Sequence, residues 1–131
     1  MIDIYLRLLI NLLIHIVFHN LNELKSAYDN YTRAIEFDPN MIDAYFNRAQ
    51  VVLAQKDDSK LSEALEDLDK SIELDPKFID AMFSKAVIQK KLEDYKGAVE
   101  TLDKIIAIEP HAVYSKALKI LIMQKYLKPE N

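Results

Sequence analysis

The 131-residue chain contains no cysteine and only one glycine. The lack of cysteine excludes disulfides, thiolate catalysis and Cys-based zinc sites, and it leaves the redox compartment undetermined. The scarcity of glycine leaves little material for phosphate-binding loops or hairpin turns, so a helical chain is expected. The net charge of −4, with both signs mixed along the chain, provides no basic stripe. We therefore expect no nucleic-acid partner.

The chain also lacks a recognisable catalytic signature. No nucleophile, base and orienting group occur at a characteristic spacing, so we predict no enzyme, no catalytic residue, no cofactor and no small-molecule substrate. His15 and His19 lie one helical turn apart and could share one helix face as a metal pair, but they lack a third ligand. The acidic joint at residues 57–60 is an alternative metal loop. On balance we predict no metal site.

Two segments of the chain are near copies of each other. Residues 34–49, AIEFDPNMIDAYFNRA, reappear as residues 71–86, SIELDPKFIDAMFSKA, with nine of 16 positions identical, and a weaker echo carries Glu109-Pro110. Pro39, Pro76 and Pro110 therefore recur at nearly equal intervals. Self-similarity at about 34 residues is typical of helical solenoids, whose units bury their apolar faces only by stacking.

Apolar residues at helical spacing follow one another along the chain and predict about seven helices and no strand. The Asp-Pro and Glu-Pro joints each end one helix and open the next, because proline fits only the first turn of a helix. Asp58 or Ser59 is the expected N-cap after the joint at 57–60. The last helix is rich in lysine and is predicted to be a solvating cap. The predicted helices span about 3–19, 22–37, 41–56, 60–74, 78–92, 95–108 and 112–127.

The pattern resembles the tetratricopeptide repeat, a helix-turn-helix of about 34 residues with small, aromatic and proline residues at set positions. Repeats at about 8–41, 42–78 and 79–112 would form one domain over 1–131, and the first keeps only its second half well. The resemblance implies an all-α, right-handed α-α superhelix with a C-terminal capping helix. The residues that carry it are Ala27, Tyr31, Ala34 and Pro39, then Tyr45, Ala49, Ala64 and Pro76, then Ala86, Tyr95, Ala98 and Pro110.

The same resemblance implies a function, namely a non-catalytic module that holds a protein or peptide partner in a concave groove, in a scaffold or adaptor role. We expect a cytoplasmic protein. Phe46 and Phe83 would be apolar anchors, and Asp43 and Asp80 would favour ligands with a basic residue beside an apolar one. The predicted groove residues are Asp43, Phe46, Asn47, Gln50, Leu53, Asp80, Phe83, Ser84, Val87 and Lys90.

Well-understood relatives bind the acidic C-terminal tail of Hsp70 or Hsp90 through a clamp of two Lys, two Asn and one Arg. Only Asn47 matches that clamp. Its other positions hold Leu12, Ile16, Asp80 and Ser84. A carboxylate would meet Asp80 there, which costs affinity, so we expect weak binding of such tails.

The segment 1–19 departs most from the repeat pattern. Arg7, Asn11 and His15 span only ~80° of a helix, and nearly all the rest is Leu, Ile or Val. The uninterrupted apolar runs fall short of the ~20 residues of a spanning helix, so we expect an amphipathic helix. A signal peptide is a weaker alternative, because no small-x-small cleavage site follows at residues 18–20. The repeat register places Leu9, Leu12, Leu13 and Ile16 on the groove side.

This apolar helix motivates an alternative function. Residues 1–19 would mediate self-association, or dock on a missing partner or a membrane surface, because a terminal helix that packs on one neighbour leaves a wide apolar surface uncovered. A change of reading frame upstream of Asn20 is a competing explanation for the break in pattern.

Overall fold

The computed structural model describes residues 2–128, without the side chains of residues 2, 3, 11, 15 and 18. This part of the chain contains helices and no strand, which confirms the all-α prediction. A short 3-10 helix at Asp58–Lys60 precedes the third α-helix. The α-helices are α1 (Ile2–Phe37), α2 (Ile42–Gln55), α3 (Leu61–Leu74), α4 (Ile79–Lys91), α5 (Tyr95–Ile108) and α6 (Val113–Tyr126).

Each helix packs mainly on its neighbours in the chain, so that α1 to α6 stack in order as a solenoid. Ala49 and Ala64 form the contact between α2 and α3, and Ala86 and Ala98 occupy the same places between α4 and α5; all four are fully buried. Small side chains at these points let paired helices approach closely. Larger residues fill the space beside them, chiefly Leu68, Ile88, Leu102, Ile105 and Ile122.

The Asp-Pro joints end helices as predicted. The backbone N–H of Asn40 donates to Asp38 Oδ1 at 3.0 Å, and that of Lys77 donates to Asp75 Oδ1 at 3.1 Å. Each aspartate therefore closes a tight turn around the proline that follows it. The Tyr45 hydroxyl donates to the Pro39 carbonyl at 2.9 Å and ties the first joint to α2.

The joint between α2 and α3 differs from the prediction. Asp57, rather than Asp58 or Ser59, is the capping residue, and it caps the 3-10 helix rather than α3. Ser59 donates to Asp57 Oδ1 from its hydroxyl at 2.6 Å and from its backbone N–H at 3.0 Å, which lowers the pKa of the Asp57 carboxyl. The repeat is longer at this point, and the additional residues form the 3-10 helix.

The two predicted helices at 3–19 and 22–37 are one continuous helix, α1. Residues 20–25 contain no proline or glycine, and Leu, Glu and Lys there favour a helix. His19 Nε2 lies 3.0 Å from Glu23 Oε1 across the expected break. The predicted hairpin of the first repeat is therefore wrong, and Leu9, Leu12, Leu13 and Ile16 lie outside the groove.

The N-terminal half of α1 extends beyond the solenoid. From Ile4 to Glu23, every side chain that the structure describes is exposed. This helix is long and apolar enough to cross a membrane by length and composition, and none of its apolar window is buried among the described residues. The other half of α1 packs on α2 through residues such as Tyr28.

Helix α6 continues the stack by one further position. Its Lys119 pairs with Asp103 at 2.6 Å, just as Lys85 of α4 pairs with Asp69 at 2.5 Å, so the same ion pair recurs one repeat later. The predicted lysines are present, but α6 is not uniformly polar. It also exposes Val113, Tyr114, Ile120, Leu121 and Met123.

A nearly buried ion pair joins the first three helices. Arg48 on α2 donates to Asp67 on α3 from Nε at 2.7 Å and from Nη2 at 2.6 Å, and from Nη1 to Thr32 Oγ1 on α1 at 3.3 Å. The guanidinium also lies 5.8 Å from the ring centre of Tyr28. The hydrogen bond to Asp67 is the main cause of a raised Arg48 pKa. Sequence reasoning did not find this pair.

We predict that Asp67→Ala lowers the free energy of unfolding by about 3 kcal/mol, because it leaves the Arg48 guanidinium without its partner in a largely dry site. The matched control is Asp69→Ala, because Asp69 lies on the same helix as Asp67 and its exposed carboxylate pairs with Lys85 of α4. It should lower the free energy of unfolding by less than ~1 kcal/mol. Urea unfolding followed by circular dichroism measures both. Equal losses would show that the Arg48 pair has no special role.

Glu93 offers a second stability prediction, because it has a left-handed backbone with φ 63° just after α4. The N–H of Asp94 donates to the Gln89 carbonyl at 2.8 Å and the N–H of Glu93 to the Lys90 carbonyl at 3.0 Å, as in a Schellman motif. Glu93→Gly should therefore raise stability by roughly 0.5–1 kcal/mol. Glu109→Gly, at an extended φ of −124°, is the control and should not stabilise in thermal unfolding.

Candidate binding groove

A groove with a volume of about 500 Å³ lies between α2, α4 and α6. Of these, α2 and α4 are the helices that the repeat register predicts to line a concave face, whereas α6 is predicted only as a cap. Phe46 and Phe83 occupy equivalent positions in successive repeats and both lie in the groove wall. The full lining is Phe46, Gln50, Ile79, Asp80, Phe83, Ser84, Glu109, Ala112, Val113, Tyr114 and Ser115.

The spacing of α2 and α4 along the groove is held by a side-chain hydrogen bond. The Ser84 hydroxyl donates to Gln50 Oε1 at 2.9 Å, from a buried side chain to an exposed one. With its carbonyl used in this way, Gln50 keeps its amide N–H groups as donors for a ligand. Ser84 therefore positions Gln50 and contributes little exposed surface of its own.

The two predicted anchors are half-buried. Phe46 packs against the first core cluster, and its ring centre lies 4.8 Å from that of Phe78 at a tilt of 50°. Phe83 packs in the same manner against the second cluster. One side of each ring therefore packs in the core, and the other side faces the groove. Replacing either would affect both folding and binding.

The charged residues in the lining are Asp80 on α4 and Glu109 at the joint between α5 and α6. Both are exposed, and the lining includes no Lys or Arg. Tyr114 lies in the same wall with 83% of its surface exposed, so it offers an aromatic face that is not committed to the core. The groove is therefore acidic, with aromatic walls.

Five of the ten predicted groove residues lie in this lining, and the others lie elsewhere. Asp43 lines a separate depression of about 360 Å³ beside Asn40 and Asp75. Leu53 packs against the first core cluster, which its helical register favours. The remaining three, Asn47, Val87 and Lys90, are half-buried and outside the lining.

Sequence reasoning missed the contribution of α6 and of the joint before it. Val113 and Tyr114 lie one repeat length after Ile79 and Asp80, so the register of the third repeat continued by one unit would have found them. Glu109 had no such signal. Its equivalent one repeat earlier, Asp75, lines the separate depression beside Asp43 instead.

The histidines do not form a metal site in the part of the chain that the structure describes. The His15 side chain lies outside that part, His19 pairs with Glu23, and His111 is exposed. Among the described residues there is no cluster of three His, Cys, Asp or Glu side chains that could hold a metal ion.

These features define the class of protein: a solenoid of helix pairs whose first helices line a groove. The chain belongs to the tetratricopeptide repeat family, since one TPR repeat model matches residues 17–56 and a tetratricopeptide repeat model matches residues 79–111. The first match begins within α1, where the repeat pattern resumes. A search of curated protein sequences found no significant match.

Solved structures share this fold. The first TPR of Spaghetti (RPAP3) bound to the HSP90 peptide SRMEEVD has a TM-score of 0.75 at 19% identity, over 85% of this chain and 86% of that chain. The TPR2B domain of yeast Sti1 in complex with pHsp70 has a TM-score of 0.70 at 28% identity, over 82% and 89%. YrrB, a TPR protein with an unusual peptide-binding site, has a TM-score of 0.68 at 29% identity, over 79% and 52%.

Because Phe46 lies partly in the core, its replacement should destabilise the fold more than replacement of an exposed groove residue. Phe46→Ala should lower the free energy of unfolding by about 2 kcal/mol, because it removes the contact with Phe78 and part of the core. Tyr114→Ala should change it by less than ~0.5 kcal/mol, because that ring is exposed. Thermal unfolding compares them. Equal losses would mean that Tyr114 also supports the fold.

Proposed function

We propose that this chain is a non-catalytic protein-interaction module that holds a partner segment in the groove between α2, α4 and α6, in a scaffold or adaptor role. The observation that carries the proposal is the groove itself, with exposed aromatic surface and two carboxylates on one face. The structural relatives that hold HSP90 and pHsp70 segments support a peptide as the ligand class.

The chemistry of the lining favours a partner segment with Lys or Arg beside an apolar residue. Asp80 and Glu109 can accept charge-assisted hydrogen bonds from a cation, and the Tyr114 ring offers a cation-π contact. Phe46 and Phe83 offer apolar surface next to these acids for a neighbouring Leu, Ile or Phe of the ligand.

The same lining disfavours an acidic tail of the kind that the relatives bind. Asp80 and Glu109 would repel a terminal carboxylate, and no basic residue of the lining compensates for them. Leu12 and Ile16, which match clamp positions on the first helix, lie on the exposed extension of α1 instead. The fold is thus shared, while the ligand preference is expected to differ.

The experiment compares two labelled peptides that are identical except for Lys or Glu beside a central Leu. Fluorescence anisotropy at low salt should show tighter binding of the Lys peptide. Asp80→Lys should weaken that binding by roughly tenfold, the effect of losing one charge pair at a partly exposed site.

Asp43→Lys is the matched control, because Asp43 is the equivalent of Asp80 one repeat earlier and lies outside the groove. It makes the same change of charge and should alter the affinity by less than about twofold. If both variants weaken binding equally, overall charge explains the effect and the groove does not. Tighter binding of the Glu peptide would contradict the proposed preference.

A further inference from the structure

Most of the exposed large apolar side chains that the structure describes lie in the N-terminal half of α1. The described side chains of residues 4–21 are all exposed and mostly Leu, Ile and Val, and none of them belongs to a core cluster of the solenoid. Apolar surface of this extent is unfavourable in water at about 25 cal/mol per Å². This half of α1 therefore requires another environment.

The distribution of apolar residues around the helix indicates which environment that is. Leu12, Leu13 and Ile14 are consecutive and all exposed, so at ~100° per residue they point in three different directions. The sequence places polar residues at 7, 11, 15 and 19, a stripe of ~120°, with Asn20 isolated among apolar neighbours, so the apolar surface covers roughly 240° of the circumference. Pairing with a second copy, or lying flat in a lipid interface, needs one apolar face only. A helix that is apolar over roughly two thirds of its circumference, far more than one face, fits an apolar medium that surrounds it.

The length of this helical segment and the positions of its charged residues fit the hydrocarbon core of a bilayer. Residues 4–21 span about 27 Å as a helix, close to the ~30 Å of a bilayer's hydrocarbon core. Arg7 is the one charged residue between positions 4 and 22, and it lies near an end, where a long side chain can reach the interface. Charges resume with Glu23 and Lys25, immediately beyond the apolar segment.

We propose that residues 4–21 insert into the hydrocarbon core of a lipid bilayer as a spanning helix. Because α1 continues without interruption to Phe37, the solenoid is then held at the membrane surface by a rigid helix, with its groove in water. The sequence predicts no membrane-spanning helix here, because its uninterrupted runs of apolar residues are short. The polar interruptions recur at every fourth position of the sequence, at 7, 11, 15 and 19, a spacing that is typical of one stripe along a helix.

Removal of this segment as a signal peptide does not fit the sequence. Up to position 27 the small residues are Ser26 and Ala27, which are adjacent, so no pair has the small-x-small spacing of a cleavage site. The proposal is independent of the groove and its ligand.

The first test measures depth in the bilayer. Because the full chain has no cysteine, Tyr5→Cys, Leu13→Cys and Leu21→Cys each provide one attachment point for an environment-sensitive fluorophore. With 3:1 phosphatidylcholine–phosphatidylglycerol vesicles, a quencher at the bilayer centre should quench the label at position 13 at least twofold more than those at 5 and 21. Equal quenching at all three positions would indicate a helix in the interface plane and overturn the proposal. No change of emission on adding vesicles would also overturn it.

The second test separates lipid from a second copy. Leu12→Arg and Ile14→Arg place the same charge at similar depth on nearly opposite sides of the helix. Each should reduce partitioning of the full chain into the vesicles by roughly 100-fold or more, as expected for replacing an apolar residue by a charge at the bilayer centre. Phe37→Arg is the control, because Phe37 lies on the same helix with 90% of its surface exposed, and it should leave partitioning unchanged.

If only one of these two substitutions reduces partitioning, a single face is used and the proposal fails. It also fails if light scattering shows that the chain dimerises without lipid and that both substitutions abolish the dimer while vesicle partitioning is unchanged. Circular dichroism should be the same for all variants, because the substituted side chains lie outside the core clusters of the solenoid.

Discussion

The close approach of paired helices at buried alanines is the contact on which the rest of the structure depends. Ala49 meets α3 at Ala64, and Ala86 meets α5 at Ala98, with no exposed surface at any of them. These close helix pairs pack on one another in chain order, and the groove lies between the first helices of the pairs, α2 and α4, and α6. A larger side chain at these positions would separate the helices and disturb both the core and the groove wall, because packed interiors adjust little.

The groove illustrates how one fold can present different ligand chemistry. Its walls come from helices α2, α4 and α6, but the charges on them are independent of the helix packing. Asp80 and Glu109 are exposed, so the packing of the core does not require an acid at either position. The hydrogen bond from Ser84 to Gln50, in contrast, both connects neighbouring repeats and orients a groove residue. Changes at exposed positions can therefore alter the ligand without altering the fold.

The two halves of α1 experience different constraints although they form one helix. Residues from Tyr28 onward pack on α2 and are connected to the Arg48–Asp67 pair through Thr32. The described side chains before Glu23 are exposed, and the local sequence offers nothing that would break the helix and fold them back. A turn there would need a tertiary contact stronger than the helix hydrogen bonds that it interrupts.

The sequence by itself determined the repeat, the Asp-Pro joints, the alanine contacts and the all-α class, because helical periodicity and proline chemistry are local. It also placed Phe46, Gln50, Asp80, Phe83 and Ser84 on the faces that line the groove. Only the tertiary structure decided that Glu109 joins them, that Asp43 does not, and that Arg48 pairs with Asp67. It likewise decided that α1 is continuous. The physical reason is that helix faces follow from local spacing, whereas the rotation between stacked repeats and the packing at a possible helix break depend on contacts between residues distant in the chain.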